Sequence, residues 1–252
     1  MPMDGITLGF LTDELNEKLR GGRIDKVQQP ERDELLLTIR SLGANYRLLI
    51  SANAGNARLH LTQQAKISPM EPPMFCMLLR KHLTGAHLLG FRQIGGDRGL
   101  CIEMENADEL GVQGTRRLMV EIMGRHSNVM LVDAEGKIVD AIHHVNAEMS
   151  RVRQVQPGLP YQAPPSQGKL DPAEATAADL EAMLVSGGKL SKALMEGLSG
   201  FSNQAAQEIA FRLTGNADAY LEGTSRMILA KKLFELLRQM KTWRDPVSLA
   251  DA

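Results

Sequence analysis

The turn Ile94-Gly95-Gly96-Asp97-Arg98-Gly99 carries the side chains best suited to recognising an anion. Glycines and an aspartate are typical of a turn for conformational reasons alone. Asp97 followed by Arg98 adds a chemical possibility, because a neighbouring carboxylate can hold the planar guanidinium so that it binds a phosphate or a base edge. The residues alone leave both interpretations open: a plain turn between two strands, or an anion-binding turn.

A second polar cluster, EIMGRHSN at residues 121–128, interrupts a strand-like run with a glycine. His126 and Ser127 are the residue types of a general base and a nucleophile. Adjacent residues on a strand point to opposite faces, however, which argues against a Ser–His pair. The pattern favours a polar turn whose arginine, serine and asparagine bind backbone or RNA. Four further histidines (His82, His87, His143 and His144) lack partners at metal-ligand spacing, so we predict no metal site.

Residues 194–212, LMEGLSGFSNQAAQEIAFR, predict two helices joined by a five-residue turn that resembles a helix-hairpin-helix. In such a motif the hairpin glycine lets the backbone approach a phosphate, and the N-terminus of the next helix binds it. A serine stands where the motif usually has its second glycine, so a corner without a ligand is the alternative. The phosphate-binding hairpin predicted here comprises Leu198, Ser199, Gly200, Phe201 and Ser202, with Leu198 and Phe201 anchoring the turn in the core.

The charge distribution is more informative than the formal net charge of −1, which by itself argues against a nucleic-acid binder. Residues 223–244 contain one acidic residue and six basic ones: Arg226, Lys231, Lys232, Arg238, Lys241 and Arg244. A basic helix of this kind could face phosphates, although an ordinary solvated helix face explains it about as well.

The N-terminus offers one enzymatic alternative, because Pro2 could act as a secondary-amine nucleophile, as in DNA glycosylases of the formamidopyrimidine type. Those enzymes have Glu directly after the proline and a zinc finger, whereas this chain has Met3 and no four-ligand cluster.

Cys76 and Cys101 fit buried thiols in a reducing compartment. No apolar stretch approaches the ~20 residues needed to cross a bilayer, and the start lacks the basic and apolar segments of a signal peptide. We therefore expect a cytoplasmic protein.

Periodicity predicts an α+β fold in three parts. Residues 1–150 contain nine strand-like runs and two helices, which favours a mostly antiparallel, β-rich domain. Residues 151–172 contain five prolines and read as a linker. Residues 173–252 predict a small all-helical domain that contains the hairpin.

Several motifs in order resemble the N-terminal domain of the NFACT family. They are MDGITLGFLTDELNEKLRGGRIDKVQQPERDELLLTIR, SANAGNARLHLT, EPPMFCMLLRKHLTGAHLLGFRQIGGDRGL and EIMGRHSNVMLVD, and the similarity covers essentially the whole chain. The resemblance implies a glycosylase-like β-rich domain followed by a helix-hairpin-helix domain. Full-length members continue into a coiled coil and a further domain.

The function implied by this resemblance is ribosome rescue. Family members bind tRNA and the large ribosomal subunit, with its rRNA and ribosomal proteins, and support template-free C-terminal alanine tailing of stalled chains. The family's Asp-Arg pair falls on Asp97 and Arg98, and its second motif places further tRNA-binding residues at Glu121, Ile122, Met123, Arg125 and His126. We expect a binding module and not an enzyme, with no cofactor, membrane or small-molecule substrate. The alternatives are a glycosylase-like DNA-binding protein and a fibronectin-binding adhesin.

Overall fold

A computed structural model of the chain describes residues 3–107, 111, 113–165, 167–184, 187–222 and 225–240; Pro2, Lys241 and Arg244 lie outside these ranges. No helix within them is long and apolar enough to span a bilayer. In chain order the elements are α1 (Gly5–Leu19), β1 (Arg23–Glu31), β2 (Glu34–Ser41), β3 (Ala44–Ser51), β4 (Arg58–Leu61), α2 (Met74–Leu83), β5 (His87–Gln93), β6 (Gly99–Ala107), β7 (Gln113–Glu121), a short 3-10 helix (Gly124–His126), β8 (Asn128–Val132), β9 (Ile138–Ala141), α3 (Ala177–Met183), α4 (Leu190–Gly197), α5 (Asn203–Thr214) and α6 (Arg226–Met240).

All nine strands of the described chain lie in one antiparallel sheet, in the order β4-β3-β2-β1-β5-β6-β7-β8-β9. Each matches one of the strand-like runs, so the predicted sheet-rich α+β class is confirmed. Strand β2 is buried at nearly every position, which is why ELLLTIR reads as an almost continuous apolar run.

The chain divides into two compact units. The first is built from Leu11–Ile94 and Arg98–Pro164, and the second from Asp4–Phe10, Gly95–Asp97 and the chain from Pro165 onward. The second unit thus recruits two short segments from the N-terminal half of the sequence. The predicted boundaries at residues 150 and 172 stay a prediction.

Two helices pack on the sheet of the first unit through side chains that bind strand backbone. The Asn16 amide of α1 donates to the Phe91 carbonyl at 2.7 Å and accepts from the Phe91 N–H at 2.9 Å. This pair of hydrogen bonds lies beside the register shift between Leu88 and Gly90 in β5. On α2, Arg80 donates to the Val27 carbonyl at 3.0 Å. Cys76 and Cys101 are both free and buried, as predicted.

The β2–β3 connection is a two-residue turn. Because Ser41 pairs with Ala44, only Leu42 and Gly43 form the turn, with φ values of 50° and 80°. Such two-residue turns need positive φ at both positions and favour Asn-Gly. In the part of the chain that the structure describes, Leu42 alone among non-glycine residues has positive φ, at a cost of about 1 kcal/mol.

Residues 145–161 return to the sheet after β9. Val145 pairs with Val155, and Lys137 pairs with Pro160. Val155 is buried in a cluster with Cys101, Met119, Met130 and Ile138. Part of the range predicted as a linker is therefore packed on the first unit.

The second unit has an apolar core formed by α3 to α6. Its buried side chains include Leu180, Leu194, Leu198, Phe201, Ile209, Leu233 and Leu237. Helix α3 begins with a capping box between Thr176 and Asp179, and α5 ends at Gly215 in the left-handed conformation. All four C-terminal helices predicted from the sequence are present.

Three glycines that are distant in sequence meet inside the second unit: Gly5, Gly96 and Gly200, which we call the glycine junction. The Gly5 N–H donates to the Gly200 carbonyl at 2.8 Å. A Cβ on Gly200 would lie 2.1 Å from the Gly96 carbonyl oxygen, and one on Gly5 would lie 2.4 Å from the same atom. Asp4 joins the two neighbouring helix starts, since it accepts from the Thr7 N–H and the Ser202 hydroxyl.

Substitution of Gly200 should be far more destabilising than substitution of Gly215, although both have similar φ (74° and 77°). Gly215→Ala should cost about 1 kcal/mol, the penalty for a left-handed L-residue, because no atom lies within 4 Å of its new Cβ. Gly200→Ala adds a backbone clash and should cost at least about 3 kcal/mol in total. Urea denaturation of both variants measures the difference. Equal losses in the free energy of unfolding would show that Gly200 is needed only for its positive φ and not for the close backbone contact.

Candidate functional site

The pairing of β6 with β7 brings Arg98 and the second polar motif together in the first unit. Gly99 lies opposite Glu121 in this ladder, and the Ile122 N–H donates to the Arg98 carbonyl at 2.8 Å. The preceding turn is closed by the Ile94 N–H, which donates to the Gly99 carbonyl at 2.8 Å. Arg98 and the loop at residues 122–127, which we call the GRH loop, are therefore neighbours, a relation that neither motif shows by itself.

Asp97 and Arg98 are both half-buried, and both are engaged in interactions within the protein. Gly95 and Gly96 before them have φ values of 58° and 65°. A Cβ on Gly96 would lie 2.8 Å from an Asp171 carboxylate oxygen. The turn therefore has a conformation that glycine alone adopts easily. Two partly accessible charged residues, Asp97 and Arg98, follow it.

The GRH loop is held by its own hydrogen bonds. The Met123 N–H donates to the Ser127 hydroxyl at 2.8 Å, and the His126 N–H donates to the Met123 carbonyl at 3.1 Å. Ser127 is buried, whereas Arg125 and His126 are exposed. Arg125 Nε lies 3.0 Å from His126 Nε2 and donates to it. The serine thus shapes the loop, while Arg125 and His126 face solvent.

Asn128 ties the GRH loop to the end of β9. Its amide donates to the His143 carbonyl at 2.8 Å and accepts from the His143 N–H at 3.1 Å. His143 Nε2 in turn lies 3.6 Å from Asp33 Oδ1 in the β1–β2 turn. Rigid strand ends on several sides therefore fix the loop's backbone.

Glu121 is the most constrained charged residue of the motif, with 1% exposure. Arg153 binds both of its carboxylate oxygens, at 2.7 and 2.6 Å. The Tyr161 hydroxyl donates to Glu121 Oε1 at 3.0 Å, and the Arg153 guanidinium lies 5.3 Å from the Tyr161 ring centroid. This triad of the buried Glu121 and the half-buried Arg153 and Tyr161 lies at the end of β7, directly before the GRH loop.

Two residues of the motif, Glu121 and Ile122, are buried, and RNA binding by the motif stays a prediction. Ile122 is 3% exposed and Glu121 is sealed by its partners, so neither side chain is accessible to a macromolecule in this structure. Met123 is half-buried. The motif thus combines a buried anchor with two exposed groups, Arg125 and His126.

Sequence reasoning missed Arg153 and Tyr161, which lie in the range predicted as a linker. The five prolines led to the prediction of a linker, although an arginine and a tyrosine in this range could have indicated contacts with the folded domain. Their role depends on contacts with a residue more than thirty positions away, and the sequence pattern carries no information on such contacts.

The hairpin at residues 198–202 connects α4 to α5 as predicted, with Leu198 and Phe201 buried. Ser202 caps α5 by accepting from the Ala205 N–H at 3.1 Å, and the Ser199 N–H donates to the Leu170 carbonyl at 2.8 Å. Gly200, however, lies in the glycine junction, so protein backbone occupies the side on which its missing Cβ would stand. Phosphate binding by this hairpin stays a prediction.

Helix α6 packs one face into the apolar core of the second unit. It buries Leu229, Leu233 and Leu237. Its described cations, Arg226, Lys231, Lys232 and Arg238, are exposed, and Lys241 and Arg244 lie outside the described residues. The Arg238 guanidinium stacks 4.6 Å from the Phe234 ring centroid, which holds the charge near the helix surface.

Removal of Arg153 should severely destabilise the first unit. Arg153→Ala leaves the Glu121 carboxylate buried without its ion partner, which costs about 3–5 kcal/mol. The exposed pair between Arg92 and Glu103 provides the control, since Arg92→Ala should change stability by no more than about 1 kcal/mol. Chemical denaturation measures both. The combined change Glu121→Leu with Arg153→Met should recover most of the loss; a double variant as unstable as Arg153→Ala would contradict this account.

Stability should fall steeply at alkaline pH because of Tyr161. Burial raises the pKa of Tyr161 above its ordinary value near 10, and the negative charge of Glu121 raises it further. The tyrosine's contribution is complete below the pKa of the unfolded state, about 10. It is lost as the pH rises toward the folded-state pKa, because the unfolded phenol ionises first. Urea denaturation from pH 8 to 11 should show a shallower decline for Tyr161→Phe than for wild type. Parallel curves would refute the assignment.

Known proteins resemble this chain over most of its length. It matches the model of the NFACT N-terminal and middle domains over residues 4–249. It is 40% identical over 246 residues to the Rqc2 homolog RqcH of Bacillus subtilis, which covers 97% of this chain and 42% of the relative. The ribosome quality control complex subunit NEMF of Homo sapiens is 27% identical over 148 residues, 59% of this chain and 13% of the relative. This chain thus spans less than half the length of these curated relatives.

Solved structures give the same picture. The N-terminal part of the fibronectin/fibrinogen-binding protein from Streptococcus suis has a TM-score of 0.81 and 36% identity, over 92% of this chain and 84% of that one. The N-terminal domain of the fibronectin-binding protein PavA from Streptococcus pneumoniae has a TM-score of 0.79 and 37% identity, over 84% and 80%. With the family match across almost the whole sequence, these findings confirm the predicted resemblance and show that the chain belongs to the NFACT family.

Proposed function

We propose that this chain is the tRNA- and large-subunit-binding part of a ribosome quality control factor, one that rescues stalled ribosomes and supports template-free alanine tailing. The names of its relatives support the general role, since they are Rqc2 homologs and a ribosome quality control subunit. Because the chain covers 42% of the first of these, the activity of the whole protein is part of the proposal.

The observation that carries the proposal is the placement of Arg98 beside the GRH loop by the β6–β7 pairing. Arg98, Arg125 and His126 then belong to one region built on strand ends. Arginine binds phosphate and base edges with a planar fork, and folded RNA is recognised largely through its backbone and shape. A rigid strand scaffold reduces the entropy lost when these side chains bind.

Two elements of the second unit could add phosphate contacts that are independent of sequence. Four cations of α6 are exposed, and the N-terminus of α5 follows the hairpin. Such contacts position a nucleic acid without reading its bases. We assign no catalytic residue in this proposal and leave peptide-bond formation to the ribosome, so the module would act by binding alone.

Replacing the half-buried Arg98 together with the exposed Arg125 should weaken RNA binding. Arg98→Ala with Arg125→Ala removes two phosphate-binding groups and should lower the slope of log affinity against log salt by roughly two. Deacylated and aminoacylated tRNA, titrated from low to moderate salt, are the probes. Lys137→Ala, which removes one exposed cation from the β8–β9 turn, is the control and should bind as wild type does. Wild-type affinity in the double variant would reject this surface.

The solved relatives favour testing one second function. Two of them are described as fibronectin-binding proteins, so immobilised fibronectin is a direct probe for this chain. Saturable, salt-resistant binding to fibronectin without binding to tRNA would favour the adhesin.

The glycosylase alternative depends on Pro2, which lies outside the described residues. Borohydride trapping on lesion-containing duplex DNA tests it.

A further inference from the structure

The β2–β3 turn combines two properties that do not favour a stable fold. Leu42 has φ of 50°, a conformation that asparagine or glycine adopts more easily. Its side chain is also 81% exposed, so no packing within the described protein compensates for the strain. Residues held in unfavourable backbone conformations are often associated with function. Contact with a partner would explain why leucine stands here.

Three arginines lie on the elements that lead into or adjoin this turn. Arg23 and Arg40 lie directly opposite each other in β1 and β2. Arg20 lies two residues before Gly22, whose position without a Cβ brings the end of α1 against Ser41 and the Arg40 carbonyl. We call Arg20, Arg40 and Leu42 the hairpin tip.

The charges of the hairpin tip are not neutralised locally. Arg23 is paired with Asp25 at 2.9 Å. Arg20 and Arg40 are exposed, and neither takes part in an ion pair with another described residue. Like charges directly opposite each other in a ladder are destabilising. The pairing of Arg23 with Arg40 is therefore, after the backbone conformation of Leu42, a second unfavourable feature that the stability of the fold does not explain.

We infer that the hairpin tip is a second RNA contact surface, in which Arg20 and Arg40 bind phosphates and Leu42 packs against the face of an unpaired base. An anionic polymer complements the arginines, and RNA loops present unstacked bases to apolar side chains. RNA fits better than a protein because exposed arginines without an ion partner complement phosphates and an exposed apolar side chain complements an unstacked base. The inference rests on the proposed function only in assuming that the chain binds RNA.

The decisive variant is Leu42→Asn, because stability and binding should move in opposite directions. Asparagine relieves the backbone strain, so the melting temperature of the first unit should rise by about 2–4 °C. The same change removes the apolar contact, so affinity for RNA should fall by about tenfold. A residue with only a structural role would not produce this combination. Met149→Asn removes another exposed apolar side chain (69% exposed) and should leave RNA affinity unchanged.

The arginines are tested separately by salt titration. Arg20→Ala and Arg40→Ala should each reduce the salt slope by about one, with Lys137→Ala as the charge-matched control. Deacylated tRNA and purified large ribosomal subunits serve as the two probes, and the one whose affinity falls identifies the RNA that the tip contacts. If wild type binds both probes and no tip variant differs from it, this inference is wrong and the proposed function stands. If wild type binds neither probe, both fail.

A photo-crosslinking amino acid, p-benzoyl-phenylalanine at position 42, distinguishes RNA from protein as the partner. With large ribosomal subunits as the probe, a nuclease-sensitive adduct supports the inference. Crosslinks to ribosomal protein alone would overturn it.

Discussion

The buried carboxylate of Glu121 constrains much of the first unit. Burying a charge costs several kcal/mol unless it is paired and hydrogen-bonded, and here Arg153 and Tyr161 together satisfy both oxygens. The chain after β9 must therefore return to the sheet, where Val145 pairs with Val155. Glu121 is also opposite Gly99 in the β6–β7 ladder. The ion pair that ends β7 thus stabilises the arrangement in which Arg98 lies beside the GRH loop.

Gly200 shows how one sequence feature can satisfy two different constraints. A hairpin glycine between two helices is typical of a phosphate-binding motif, since the absence of a Cβ permits close approach. In this protein the close approach is made by protein backbone, at Gly5 and Gly96. Any phosphate would have to bind through other N–H groups of the turn or the start of α5. The same junction constrains Gly96, which directly precedes Asp97.

The sequence predicted the local elements well, because their signals are local. The run ELLLTIR, the Gly-Gly-Asp turn and the prolines before α2 each determine structure within a few residues, and all nine strands were found. It could not predict that Arg98 binds Ile122, that Arg153 and Tyr161 enclose Glu121, or that Gly5 meets Gly200. These contacts depend on strand register and on chain return over long separations. Leucine is an unusual residue for a two-residue hairpin turn, so the residue type at position 42 gives no signal of the positive φ found there.

A formal net charge of −1 does not prevent such a protein from binding a polyanion. Charges more than about 10 Å apart are largely screened at moderate salt, so RNA responds to the local surface and not to the total. Glu121 and Glu34 lie in ion pairs with Arg153, Arg58 and Lys66, which confines their charges to the interior. Exposed cations remain on α6 and at Arg125. The distribution of charge over the folded surface, which only the strand register and helix packing define, therefore decides which face can meet RNA.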